Sequence, residues 1–277
     1  MTDFTIGTVY FNVCQLQPML DWYQSRLGLQ IHWQEGKRVA LGAGEHDLLV
    51  LTETLDYTSS RQHTGLFHFA LLVPDRVQLA KSLTHLANTK TQLQGMSDHA
   101  VSEALYLADP EGNGIEIYRD RPESDWYDAD GNFLLTTMRL DVADLLAELE
   151  TADNTWRGLP TGTIMGHIHL HVSDIPSAEA VYTKQLGMDV MLNMGSASFI
   201  AYDGYHHHVG ANIWGGRTLP PSDAHLGLTA YDLHLPVEHR ETLLATLEST
   251  GVTITPQDDA YQIRDAASST LVNLHTQ

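Results

Sequence analysis

Residues 6–29 read IGTVYFNVCQLQPMLDWYQSRLGL, and residues 165–188 read MGHIHLHVSDIPSAEAVYTKQLGM. Laid together without gaps, Gly7 meets Gly166, Val13 meets Val172, Tyr23 meets Tyr182, and Leu27-Gly28 meets Leu186-Gly187. Each copy alternates apolar and polar residues, shifts to helical spacing, and stops at a glycine. This pattern predicts a strand, a helix and a glycine cap. A weaker pair follows: GLFHFALLVPD from Gly65 leads into RVQLAKSLTHLAN, and GLTAYDLHLP from Gly227 leads into VEHRETLLATLES. Strand-like segments come after each helix: HDLLVLTE, ALYLADPEGNGIEIY, ASFIAYDGYHHHVGANIW and TLVNLHT. Repetition on this scale means a duplicated structural unit. The chain divides into four strand–helix–strand–strand units near residues 5–55, 65–120, 165–216 and 226–277. Two units fall in residues 1–120 and two in 163–277, with a connector over 121–162. The connector holds one helical pattern, LDVADLLAELE, and the turn-rich segments DADGN and WRGLPTGT.

A chain of 277 residues that is 43% hydrophobic and 18% charged is a folded globular protein with room for a large core. Acidic residues outnumber basic ones 35 to 15, a net charge of −20. Such a surface repels phosphate backbones and anionic headgroups, so neither a nucleic acid nor a membrane is an expected partner. The single cysteine, Cys14, leaves no internal disulfide and no cysteine-based zinc site. The opening MTDFTIGTVYF has no basic segment followed by an apolar one, and no apolar run approaches about 18 residues; a cytoplasmic protein is expected. Histidine is the outlier, with 16 residues against 15 Lys plus Arg. It is the commonest metal ligand and the usual acid–base group near neutral pH.

The segments DHAVSEALYLADPEGNGIEIY, GHIHLHVSD and GYHHHVGANIWGG, set on the four-unit plan, resemble the vicinal oxygen chelate superfamily. That superfamily includes glyoxalase I, bleomycin-resistance proteins and type I extradiol ring-cleaving dioxygenases. The likeness spans nearly the whole chain and is strongest to bacterial two-domain proteins of the catechol-2,3-dioxygenase-like kind. It implies an α+β fold of four βαβββ modules paired into two cupped mixed sheets, with a divalent metal in a cup. The reaction does not follow from the fold, which hosts lyases, dioxygenases, epimerases and metal-free binders.

In the ring-cleaving branch, the metal takes one His from the first strand of each of two paired units and a Glu from the last strand of one. Carried onto this chain, the first-strand positions are Thr8, His68, His167 and Ala230; the last-strand positions are Glu116 in unit two and Val272 in unit four. The resemblance therefore implies a metal on His68, Glu116 and His167. Two imidazoles and a carboxylate leave one face of Fe(II) open for a bidentate substrate and O2, although Mn, Zn, Ni or Co suits the same ligands. His167, His169 and His171 alternate and share one strand face. No sequential half holds all three ligands. Either units two and three pair across the connector, leaving one and four to pair, or the site is broken. Tyr106, ten residues before Glu116, matches the family's active-site tyrosine, and His99 lies in a segment like a histidine-bearing one there. His208 matches an acid–base histidine; in a regular strand His206 shares its face and His207 takes the other.

Each residue has a plainer reading. A His in LFHFALL is commonly a hydrogen-bonded core residue, Glu116 could face solvent, and Tyr106 could be packing. Trp126, Tyr127, Phe199, Tyr205 and Trp214 could line a pocket for a planar substrate or fill the core. DPEGNG lacks the spacing of a calcium or phosphate loop and predicts a tight turn; no G-x-S-x-G elbow is present. Three functions are weighed. A dioxygenase would cleave a catechol or hydroquinone-like aromatic with O2. A glyoxalase-type lyase or isomerase would need a fourth, carboxylate ligand that unit three does not offer. A drug-binding resistance protein would need none of the three ligands. The sequence leaves the oligomeric state open, a homo-oligomer included.

Overall fold

The computed structural model describes residues 4–55, 57, 62–222 and 224–276. Unit one runs β1 (Thr5–Val13), α1 (Leu16–Trp22) with a π-helical turn at Tyr23–Leu27, β2 (Gln30–Glu35), β3 (Arg38–Gly42) and β4 (Asp47–Glu53). Unit two runs β5 (Gly65–Leu72), α2 (Arg76–Asn88), β6 (Leu93–Asp98), β7 (Ser102–Ala108) and β8 (Gly114–Asp120). The connector carries β9 (Met138–Arg139) and α3 (Val142–Ala147). Unit three has β10 (Ile164–His171), α4 (Ile175–Glu179), a π turn at Ala180–Gln185, β11 (Asp189–Asn193), β12 (Ala197–Ala201) and β13 (Val209–Asn212). Unit four has β14 (Gly227–Leu235), α5 (Arg240–Ser249), β15 (Thr255–Pro256), β16 (Tyr261–Arg264) and β17 (Leu271–Thr276).

The local chemistry of these elements follows from the sequence. Asp75 and Asp174 cap α2 and α4, accepting from the N–H groups of Gln78 and Ser177. Gly28 ends the first helical segment at φ 67°, and a Cβ there would stand 2.2 Å from Gly158 Cα, so the connector crosses on a glycine pair. DPEGNG is the tight turn expected: Asp109 accepts from the backbone of Glu111 and Asn113.

The strands form two sheets. The eight-stranded sheet has the order β15-β16-β17-β14-β1-β4-β3-β2, and the nine-stranded sheet the order β11-β12-β13-β10-β5-β8-β7-β6-β9. Units one and four thus build one sheet, and units two and three the other; each sheet takes a unit from either side of the connector. At both junctions the first strands meet antiparallel, β1 with β14 and β5 with β10. The core lies where β1 and β10 pack, with Val9, Phe11, Phe69, Ile168 and Leu170 buried and the Phe11 and Phe69 rings 5.6 Å apart. No helix among the described residues is long and apolar enough to cross a membrane.

The connector is clamped to the nine-stranded sheet. Buried Glu103 receives Arg76 at 2.9 Å, Arg119 at 2.7 Å and Arg121 at 3.4 Å. Arg76 also reaches Asp144 at 2.6 Å and Glu148 at 2.9 Å, on and just beyond α3.

Strand register corrects one sequence expectation. Ala70 pairs with Glu116 on β5–β8, and Asp232, which corresponds to Ala70, pairs with Asn273 on β14–β17. Asn273, not Val272, therefore stands in the place of Glu116. A one-residue slip in a strand exchanges the two faces.

Candidate metal centre

His68 on β5, Glu116 on β8 and His167 on β10 point into the cup of the nine-stranded sheet. All three are buried, and their ligand atoms lie within 4.8 Å of one another. His68 Nε2 stands 3.0 Å and His167 Nε2 3.1 Å from the same oxygen, Glu116 Oε2. Bonds of about 2.0–2.2 Å at right angles put neighbouring ligand atoms about 3 Å apart, so the two spacings fit a metal's coordination edges. His68 Nε2 is within reach of the carboxylate yet makes no well-aligned hydrogen bond with it. A buried imidazole nitrogen left without an aligned partner is what a metal ligand looks like in the absence of its ion.

Electrostatics suit a cation. Burial pushes the His167 imidazole down to about 4, against the pull of Glu116, so it is neutral. Burial opposes the charge on Glu116, but His167 and His68 outweigh it and hold the carboxyl well below the usual range. A neutral imidazole beside an ionised carboxylate is the protonation state a divalent ion requires.

The cup opens into a cavity of about 570 Å³. Tyr106 on β7 is paired in register with Glu116 and lines this cavity with His99. His99 follows β6 in a tight hairpin, where Ala100 takes φ 65° and its N–H is held by Asp98 Oδ1 at 2.8 Å. His99 Nδ1 lies 2.7 Å from the Thr136 carbonyl and must donate to it, which leaves Nε2 to accept from the Tyr106 hydroxyl at 2.8 Å. Burial, then the charge of Glu116, raises the Tyr106 phenol far above its ordinary value, so it is a proton donor.

The third sequence-chosen acid–base residue is placed elsewhere. His208 precedes β13 rather than lying in it, and it lines a second cavity of about 510 Å³ with Asp120, Tyr205 and Trp126. His207 is the member of the His run that lines the metal-side cavity, its ring 4.1 Å from His167 and 5.1 Å from Phe199. His206 links the two sides, with Nδ1 2.9 Å from His207 Nδ1 and Nε2 2.7 Å from Asp120 Oδ1. His169 lines the cavity beside the three ligand candidates, while His171 is hydrogen-bonded to Asn212 at 2.9 Å. Of the five aromatics weighed, Phe199 and Trp214 line the metal-side cavity, Trp126 and Tyr205 the second, and Tyr127 packs on Phe133. Phe67, Leu135 and Thr137 also line the metal-side cavity and were not anticipated. Phe67 could have been found by its place beside His68; the connector residues carry no periodic signal.

Comparison with known proteins identifies the family and the fold. Residues 5–117 match the family model described as the glyoxalase/bleomycin resistance protein/dioxygenase superfamily. The chain is 40% identical, over 98% of its own length and 96% of the relative's, to a protein named catechol-2,3-dioxygenase in Bacillus subtilis (strain 168). Glyoxalase I from Zea mays shares the fold with a TM-score of 0.60, covering 99% of this chain and 92% of the maize chain at 14% identity. The CppA protein of Streptococcus pneumoniae TIGR4 does so with a TM-score of 0.57, covering 99% of this chain and all (100%) of its own, at 12% identity. The chain belongs to the glyoxalase/bleomycin resistance protein/dioxygenase superfamily.

Proposed function

We propose that the protein is an extradiol-type ring-cleaving dioxygenase acting on a catechol or hydroquinone-like aromatic, with Fe(II) held by His68, Glu116 and His167. The observation that carries this reading is the convergence of those three buried groups, two of which, His68 and Glu116, line the cavity. The name of the 40%-identical relative supports it. When bound, iron supplies Lewis acidity toward a chelated diol and electron transfer with O2.

The chain's own residues handle orientation and protons. Phe67, Phe199 and Trp214 provide flat apolar walls for an aromatic ring. A diol bound in this cavity would have to give up a proton. The Tyr106 hydroxyl, hydrogen-bonded to His99 Nε2, can accept it while passing its own proton to His99. Thr136 fixes the His99 tautomer that makes this transfer run in that direction.

One observation weighs against the lyase alternative. In unit three His169 pairs with Gly210, as Ala70 pairs with Glu116 in unit two. A Cβ on Gly210 would stand 2.7 Å from the His169 ring, so no carboxylate fits at that place as a fourth ligand. The test is metal analysis of protein purified without air, followed by oxygen uptake with a panel of catechols and hydroquinones. Iron retained by the unaltered chain, lost in Glu116→Gln, together with oxygen consumption, is the expected result. Iron-loaded protein that consumes no oxygen with any of the panel would sink the reading.

A further inference from the structure

The cup of the eight-stranded sheet encloses a cavity of about 1120 Å³, about twice the volume of the metal-side cavity and ample for a drug-sized ligand. It is not a second metal centre: among the described residues, only His68, Glu116 and His167 bring three ligand atoms within 4.8 Å of one another. An organic ligand suits it better. Ile6, Leu48, Ile164, Met165 and Leu235 give the cavity apolar wall, and Trp33 lines it as well. Two of its imidazoles are seated where only a glycine leaves room. A Cβ on Gly7 would overlap His234 Nε2, and a Cβ on Gly42 would overlap His32 Cε1.

The polar groups that this cup leaves open are acceptors. Asp47 takes the His32 Nδ1 proton at 2.7 Å and the Trp33 indole N–H at 2.6 Å. Asp232 takes the Tyr10 hydroxyl and the Asn273 amide. A carboxylate offers about four acceptor positions, so each of the two keeps about two. With Nδ1 giving its proton to Asp47, Nε2 of the uncharged His32 ring is an acceptor too, buried and without a hydrogen-bond partner among the described residues. The charges are equally one-sided. Among the described residues lining the cavity none is Lys or Arg, whereas Glu45, Asp47, Asp232 and Glu238 are acids. The Arg38 guanidinium lies over the Tyr10 and Trp33 rings, at 5.8 and 5.4 Å, and does not line the cavity. His275 Nε2 comes within 3.4 Å of Asp232 Oδ1 but does not line it either. An anion would meet these acids in a chain of net charge −20, whereas a ligand with N–H donors and a positive charge matches both features.

We propose that the cup of the eight-stranded sheet is a second small-molecule site, taking an organic ammonium ion on an apolar body, with its charge against Asp47 and Asp232. The site is independent of the reaction in the other cup. The unaltered full chain is titrated by calorimetry with 2-phenylethylammonium, 2-phenylethanol and 3-phenylpropanoate, probes of similar shape and three different charges. The ammonium should bind at least about 10-fold more tightly than the alcohol, the scale of a hydrogen bond to a charged group, and the carboxylate should not bind. Asp47→Asn and Asp232→Asn should each remove most of that preference, and Glu116→Gln should keep it. A second readout needs neither carboxylate variant to fold. The indole N–H resonance of Trp33, the donor to Asp47, should shift as the ammonium is added, while that of Trp214 in the metal-side cavity stays in place. Equal affinity for the ammonium and the alcohol, or no binding of the ammonium, would overturn the proposal. A preference unchanged in both Asp variants would assign the binding to the acidic surface at large and overturn it too. So would a preference lost in Glu116→Gln, or a shift of Trp214 alone, either of which would put the cation in the other cup.

Discussion

The two sheets are built from the same unit plan, yet their cups hold opposite kinds of polar chemistry. In the nine-stranded sheet His68, His167 and Glu116 crowd together, and His68 Nε2 has no aligned hydrogen bond. In the eight-stranded sheet Thr8 and Ala230 take the two first-strand positions, and Asn273 stands where Glu116 would. Asp232 lies there beside Asp47, and its oxygens are engaged: Tyr10 donates to Oδ2 at 2.9 Å and Asn273 to Oδ1 at 2.8 Å. His275 Nε2 adds a longer approach of 3.4 Å to the same Oδ1. One cup crowds two imidazole nitrogens against one carboxylate oxygen, and the other holds Asp232 with a phenol and an amide. A duplicated fold can thus use the same register for a cluster of candidate ligands or for a carboxylate held by hydroxyl and amide donors.

The largest test of this contrast is metal retention. Glu116→Gln keeps the size of the side chain but removes the charge between the two imidazoles, and it should cut metal affinity by at least about 10²-fold. Asp232→Asn changes a carboxylate in the other cup and should leave metal content unchanged. Equal loss of metal from both variants, measured by elemental analysis, would mean that the cups are not chemically distinct.

Turnover comes next, and it separates neighbouring histidines. His207 lines the metal-side cavity, whereas His208 lines the second one. His207→Ala should lower turnover by about 10²-fold, the scale of a lost acid–base or orienting group. His208→Ala should lower it less, since this ring lines the second cavity and packs on Tyr205, whose ring is 4.8 Å away. Oxygen uptake on both variants, at matched iron content, decides the order. A larger loss in His208→Ala would restore the sequence assignment.

These cases show what the sequence could carry. The four-unit plan was legible because Gly7/Gly166, Tyr23/Tyr182 and the Leu-Gly stops recur at fixed offsets. His68, Glu116 and His167 were legible as candidates because side chains alternate along a strand, so register alone nominates a face. His207 was not, because residues 206–208 lie before β13, where the chain bends and a strand-based assignment has no fixed frame. Asn273 was missed by a single residue, which in a strand is a whole face. Leu135 and Thr137 come from a connector without hydrophobic period, held in place by an ion cluster that only tertiary structure assembles.

That ion cluster distinguishes the sheets at low pH. Glu103 is buried, which opposes its charge, but Arg76 and Arg119 outweigh burial and depress its pKa. A depressed carboxylate stabilises the fold above its unfolded pKa, and the contribution fades as pH falls through the folded value. Glu103→Gln should therefore lower stability at pH 7 by about 3 kcal/mol, the low end for breaking a buried pair, and match the unaltered chain in acid, below that folded value. Denaturant melts at the two pH values provide the check. A gap that persists undiminished in acid would assign the effect to packing rather than charge.

The smallest effect probes the cup of the eight-stranded sheet. Tyr10→Phe removes the hydroxyl that donates to Asp232 Oδ2 and leaves Asn273 on Oδ1. One lost donor to a carboxylate that keeps another partner should cost about 1 kcal/mol. In a chain of 277 residues that is a fall in Tm of roughly 2–4 °C. The iron content and kcat/KM should not change, because Tyr10 and Asp232 sit in the sheet built from units one and four. A Tyr10→Phe protein with normal Tm but weakened iron binding would reverse that assignment. The two cups would then be energetically linked through the packed face of β1 and β10, and the hydrogen bonds of Asp232 would be part of what shapes the other site.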